Sequence, residues 1–343
     1  MKLNQFFVRN LSKNFENIYK LLLCLSLACC ASAQSRLYSY KFTKTENQRA
    51  LIVLPSGQIL SGSSEAALRL HGPKPLDLER YKLDDQFKEI RDLCYTKYGY
   101  IAMQSHDSSC IVLVNKNFEI DSVIFPLQSK QALFLDGICA MDSIVFLLGD
   151  PINGKFSTFR SFDYGHSWEP TPGQIDAIEG EAAYAASGQT NQIYEGNFYF
   201  VSGGPSSRLF KSANYGQTWD INTIPYPSCS TCGPYALAIK NENELITVGG
   251  DYLKAENKKN NCYYSTDGGK TWIAPKKGPS GYRSCVVYAK ECYYACGTTG
   301  IDVSRDGGKT WQQISKENAL SMAYLNDHLY VTLADGSYVI IKI

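Results

Sequence analysis

From residue 48 onward the apolar positions fall into short strand-sized runs separated by Gly, Pro, Asn, Asp and Ser, and the runs come in ordered groups. Residues 48–83 hold Ala50–Leu54, Gln58–Ser61, Ala67–Leu70 and Glu79–Leu83. Residues 90–127 repeat the order with Ile90–Thr96, Tyr100–Gln104, Cys110–Val114 and Ser122–Pro126. Further along, Tyr235–Lys240, Glu244–Val248 and Cys262–Ser265 read as inner, second and third strands, with an outer strand expected after Trp272. Arg283–Tyr288, Glu291–Cys296 and Ile301–Ser304 repeat that order. The last group has only three runs, Ser321–Leu325, Leu329–Leu333 and Tyr338–Ile343, while an orphan run, Leu37–Phe42, stands near the other end.

Four segments within this pattern share one template. They are Ser161 to Trp168, Ser212 to Trp219, Ser265 to Trp272 and Ser304 to Trp311, each with Asp or Asn at the third position, Gly at the fifth and Trp at the eighth. All 4 tryptophans fall in them, at offsets of 51, 53 and 39 residues, close to one four-stranded blade plus variable loops. The chemistry suits a turn between strands. The oxygen of Asp163, Asn214, Asp267 or Asp306 accepts backbone N–H groups across the turn, Gly takes a conformation other residues resist, and Trp168, Trp219, Trp272 or Trp311 packs between sheets. The expected fold is therefore all-β, a seven-bladed β-propeller forming a single domain over 34–343. Leu37–Phe42 is expected to close the ring as the fourth strand of the last blade, because closure removes exposed edges. A two-domain reading lacks a Pro/Gly/Ser-rich linker.

These segments resemble the Asp boxes of bacterial neuraminidase (BNR) repeats, which places each box between the third and fourth strands, on the face opposite the usual ligand site. A structural role for the box residues therefore outweighs a catalytic one. The likeness extends to Phe134-Leu135-Asp136-Gly137, Gly149-Asp150 through Lys155-Phe156, Glu179-Gly180-Glu181 through Gly188, Val248 through Asp251-Tyr252, and Ser280-Gly281-Tyr282-Arg283-Ser284. Together they resemble bacterial secreted propellers related to the photosystem II stability and assembly factor, over residues 48 to the C-terminus. That resemblance implies a seven-bladed propeller; its photosynthetic members are assembly chaperones, and other members are labelled oxidoreductases or glycosyl hydrolases. The arginine-rich patch of the photosynthetic members is not evident here.

The first residues belong to another pattern. Lys2, Arg9, Lys13 and Lys20 precede the apolar run Leu21–Ala31, which ends in Ala31-Ser32-Ala33 before Gln34, so residues 1–33 read as a cleaved secretory signal peptide. The run is too short to span a bilayer, and no later segment is long and apolar enough. The expected location is secreted or periplasmic. Without the signal the 34 basic and 33 acidic residues become 30 and 32. That balance gives no electrostatic footprint for nucleic acid. Nine cysteines remain, an odd number, and Cys229 and Cys232 are expected to form a local loop disulfide rather than a metal or redox motif, since no second Cys-x-x-Cys or paired histidines accompany them. No Asn-x-Ser/Thr sequon follows the signal, which favours a bacterial envelope.

In a propeller, the loops entering the inner strands and those joining second to third strands share one face around the channel. Arg91, Asp136, Glu179, Glu181, Tyr282 and Arg283 fall at inner-strand entrances, and Asp150, Lys155, Asp251 and Tyr252 in the other loops. A glycosidase would draw its two carboxylates, or an activated tyrosine, from Asp136, Asp150, Glu179, Glu181, Asp251 and Tyr282. A sialidase also needs three substrate-gripping arginines, but only Arg91 and Arg283 are suitably placed and no Arg-Ile-Pro segment occurs. His71, His106, His166 and His328 have no metal-ligand spacing. The Gly-rich stretches lack a strand-to-helix context, and no Gly-x-Ser-x-Gly elbow occurs, so no metal, cofactor or Ser-His-Asp triad is expected. The function this supports is a monomeric, non-catalytic binding propeller, a scaffold or assembly factor for a protein or glycan. The alternative is a glycoside hydrolase on the same face.

Overall fold

The computed structural model describes residues 36–40, 46–71, 78–105, 109–126 and 133–343; the expected signal segment, Phe42 and His106 lie outside them. The chain forms seven antiparallel sheets, numbered here as blades in chain order, six with four strands and the fifth with three. Their inner strands are Gln48–Val53, Asp92–Tyr95, Leu135–Met141, Asn191–Tyr194, Cys232–Ile239, Cys285–Ala289 and Ala319–Leu325. Each touches the next, and the seventh touches the first, so the ring is closed at its centre. In blade seven, Arg36–Tyr40 pairs with Tyr338–Lys342, matching Tyr40 to Tyr338 and Arg36 to Ile341.

Alternating apolar side chains fill the spaces between blades. Phe146, Phe198, Phe200 and Phe210 are fully buried between blades three and four, with Phe146 stacked on Phe198 at 4.6 Å and Phe200 on Phe210 at 4.2 Å. Similar apolar clusters lie between blades one and two, two and three, four and five, five and six, and six and seven.

The four boxes sit after the third strands. Asp267 Oδ1 accepts the Thr271 N–H at 2.9 Å and the Ser265 hydroxyl at 2.8 Å, while Oδ2 accepts the Thr271 hydroxyl at 2.6 Å. These bonds, led by the Thr271 hydroxyl, hold the Asp267 carboxyl down at about 2. Asp163 and Asp306 make the same set with Ser167 and Thr310, and Asn214 accepts the Thr218 N–H. Gly269 has φ +86°, and a Cβ there would meet Leu209 of blade four at 2.2 Å, so the fifth box position needs glycine for both backbone and packing. The box residues are turn builders.

Blade five departs from the expected pattern. Its third strand, Cys262–Ser265, meets the segment after Trp272 at one bridge only, Tyr264 with Ile273. Continuing that register would set Pro275 opposite Cys262 in a position that needs a backbone donor, and proline has none. The chain instead turns toward blade six, where Lys277 bridges Thr310.

Candidate functional site

On the face away from the boxes, the segment entering blade four crosses the axis. Ser187 donates its hydroxyl to the Ser284 carbonyl of blade six at 2.6 Å, and Gln189 Oε1 accepts the Val286 N–H at 2.8 Å. The Gln189 carbonyl accepts the Leu237 N–H of blade five at 2.9 Å, and Arg49 of blade one donates to the Ala186 carbonyl at 3.2 Å. Gly188, with φ +72°, passes so close to Asp92 of blade two that a Cβ would lie 2.0 Å from its carboxylate. Only a segment on the axis can reach four other blades at once. Residues 184–190 therefore plug the channel, and Ser187 and Thr190 are buried within it.

Beside the plug lies a pair of acids. Asp136, at the start of blade three's inner strand, is 1% exposed. The Asp150 carboxyl and the Ala185 amide approach it, though neither contact has ordinary hydrogen-bond geometry. Burial, and then the charge of Asp150, push the Asp136 carboxyl well above the usual range. Asp150 accepts the Ala183 N–H at 3.1 Å, and burial raises its carboxyl to about 6. Two adjacent acids in a dry site cannot both ionise cheaply, so the pair holds a proton. Asp150 also borders an open depression of about 540 Å³ that Glu179 and Ile178 line.

The other expected site residues separate into distinct roles. Glu181 is buried and grips Arg208, whose Nε donates at 2.8 Å and whose second nitrogen also bonds it; the Ser202 hydroxyl and the Ile178 N–H complete its shell. Arg283 is fully buried and points inward to Asp302, with its Nε at 2.8 Å from the carboxylate and Nη1 donating to Thr299. Both side chains are buried in these ion pairs, and Arg283 is thus unavailable to grip a substrate carboxylate. Lys155 pairs with exposed Asp176 at 2.8 Å, Arg91 pairs with Glu89 at 3.2 Å, and Glu179 is exposed. Asp251 caps a short 3₁₀ turn, Tyr252–Lys254, accepting the Leu253 N–H at 3.0 Å and the Thr231 hydroxyl at 2.7 Å.

What the structure brings together around Tyr252 and Tyr282 is aromatic. Tyr184 stacks on Tyr235 at 4.1 Å, and Tyr235 meets Tyr282 edge-on at 4.8 Å and Tyr252 at 6.3 Å. Burial raises the Tyr184 phenol to about 12 and pushes those of Tyr235 and Tyr282 up as well. Cys229 and Cys232 are joined in a disulfide whose loop accepts two of these hydroxyls: Tyr235 donates to the Thr231 carbonyl at 2.9 Å and Tyr184 to the Cys232 carbonyl at 3.1 Å. Both cysteines lie near Asp251, but their sulfurs are bonded to each other. Above this platform Tyr252 is 50% and Leu253 70% exposed. Tyr184, Tyr235 and Arg49 are absent from the sequence-based set. Tyr235 and Arg49 sit on inner strands, whereas only their cross-blade contacts reveal the role.

A family model described as Sortilin, neurotensin receptor 3, matches residues 157–291, and the BNR/Asp-box repeat matches residues 302–313. No curated protein sequence matches at a significant level. Among solved structures, YCF48 bound to D1 peptide superposes with a TM-score of 0.64 at 12% identity, covering 92% of this chain and 96% of that one. A catalytically inactive virginiamycin B lyase from Staphylococcus aureus with quinupristin gives 0.66 at 11%, covering 89% and 98%. BamB from Moraxella catarrhalis gives 0.56 at 10%, covering 91% and 98%. At such identities the likeness speaks to fold. The chain is an Asp-box seven-bladed propeller that resembles YCF48 in architecture.

Proposed function

We propose that this chain is a non-catalytic binding propeller that holds an extended segment of a partner protein on the plugged channel face, after export with cleavage of residues 1–33. The observation that carries this reading is the pairing of a closed axis with an exposed Tyr252–Leu253 edge on a rigid tyrosine platform. Tyrosine supplies large contact area at low entropic cost, and an exposed leucine beside it suits a protein better than a sugar. The disulfide loop and the Asp251 cap fix the platform before any partner arrives, which lowers the ordering cost of binding. A propeller of the same fold bound to a peptide supports the reading. No helix among the described residues is long and apolar enough to cross a membrane.

One observation favours the alternative, a glycoside hydrolase: Asp150 and Glu179 border one depression, and Asp150 holds its proton up to about pH 6. A general acid of that kind would lose activity as pH rises through about 6, because its protonated form is the active one. The scaffold reading expects no turnover of a panel of aryl glycosides, including sialosides, between pH 4 and 8. Turnover that falls about 100-fold or more in a folded Asp150→Asn or Glu179→Gln variant would replace the scaffold with the enzyme.

A further inference from the structure

Three acids lie under the axial segment, and the binding face proposed above uses none of them. Asp92 of blade two is buried and accepts the Leu93 N–H at 2.8 Å and the Ile138 N–H at 2.7 Å, and burial raises its carboxyl to about 7. Asp136 and Asp150 of blade three differ, because they meet each other. Neither oxygen of Asp136 has a hydrogen bond of ordinary geometry, although the residue is buried. Together the two acids face alternate amides of one segment: Asp150 accepts the Ala183 N–H at 3.1 Å, and the Ala185 amide approaches Asp136. Tyr184 stands between those amides.

Tyr184 ties this segment to the platform through its stack on Tyr235 and its bond to the Cys232 carbonyl. The acids therefore hold its backbone while the platform holds its ring. Around the pair stand Arg91, whose charge opposes the upward shift of Asp136, its partner Glu89, and Arg49 on the Ala186 carbonyl. The neutral Tyr184 phenol faces Asp150, and the depression beside Asp150 adds exposed Glu179 and Glu181, the latter paired with Arg208. None of these donates a hydrogen bond to Asp136, so the two carboxyls stay together by keeping a proton between them.

We propose that Asp136 and Asp150 form a proton-operated latch on residues 183–186: sharing a proton, they clamp Tyr184 onto the platform, and losing it, they repel each other and free the segment. Asp150 borders the open depression, so it is the member with room to swing toward water. The sign follows from burial, which raises Asp150 to about 6 and Asp136 well above the usual range. The closed segment keeps a proton that the open one, with both acids hydrated, gives up in the acid range. The latch is thus firm at low pH and weakens as pH rises beyond about 6. Asp92 takes no part, since its bonds go to Leu93 and Ile138 on inner strands and survive the opening of 183–186. Tighter partner binding at lower pH is the functional consequence, and it rests on the binding reading above; the latch itself does not.

The test is hydrogen exchange at the Ala183 amide, read by NMR on alanine-labelled protein without any partner, from about pH 6 to about pH 8, with each rate divided by the intrinsic rate at that pH. Protection is expected to fall about tenfold per pH unit for as long as the closed segment holds one proton more than the open one. Asp136→Asn combined with Asp150→Asn keeps the shapes and puts an amide hydrogen where the shared proton lies, so its protection should not vary with pH. Should that variant not fold, Asp136→Asn alone decides. Its Asp150 is already ionised above about 6 and has an amide donor, so protection should be flat from about pH 7 to about pH 8. An unprotected Ala183 amide, parent protection that is constant across the range, or the same slope in the variants would overturn the proposal. None of these outcomes bears on whether the face binds a partner, because no partner is present.

Discussion

Replacing Arg283 by Ala is expected to destabilise the protein by about 3–5 kcal/mol, read as a large fall in the urea midpoint, because it strands a buried carboxylate. Arg283 and Asp302 are both 0% exposed, and the guanidinium also donates to the Tyr282 carbonyl at 2.7 Å and to Thr299 at 2.6 Å. Ser280 gives Asp302 two further bonds, at 3.0 and 2.8 Å, which do not neutralise its charge. Adding Asp302→Asn to Arg283→Met should recover much of the loss, since the cost lies in the unpaired charge rather than in the absence of the pair. A loss below about 1 kcal/mol for Arg283→Ala would show that the ion pair is not buried as described.

Deleting residues 35–44 should have a comparable effect through a different route. The pairing of Arg36–Tyr40 with Tyr338–Lys342 would disappear, exposing an edge that carries the buried residues Tyr338, Val339 and Ile341. Ladder hydrogen bonds contribute about 0.5–1.5 kcal/mol each, so losing several costs on the order of 2–6 kcal/mol, and the bare apolar edge should aggregate. The inner strands of blades one and seven touch without this segment, and Thr332 donates to the Gln48 carbonyl at 2.7 Å. The truncated chain is therefore expected to fold, with a lower thermal midpoint and concentration-dependent light scattering. An unchanged midpoint would mean that Arg36–Tyr40 does not hold the last blade.

The blades and boxes were legible because their information is local. In each box the acceptor at the third position and the hydroxyl at the seventh are four residues apart, so the turn that joins Asp267 to Thr271 is written in one short segment. The plug was not. Ser187 and Gln189 meet Ser284 and Val286 across 97 residues of sequence, and nothing near Ser187 marks it as an axial residue. Arg283 illustrates the intermediate case: its position at the entrance to an inner strand was readable, but the direction of its side chain depended on Asp302, on another strand of the same blade. Pro275 is visible in the sequence. Its missing N–H ends the outer strand of blade five, a consequence that appears only once the register with Tyr264 is known.

The claim that the plugged channel face holds a protein partner is tested most directly by photo-crosslinking in the cells that make the protein, with the reactive side chain placed at Tyr252 or, on the opposite face, at Asp267. Tyr252 is half exposed beside Leu253, and Asp267 lies in an exposed box turn. A discrete protein adduct from position 252 and none from position 267 is the predicted result. Adducts confined to position 267, or none from position 252 while the protein is folded and abundant, would contradict it.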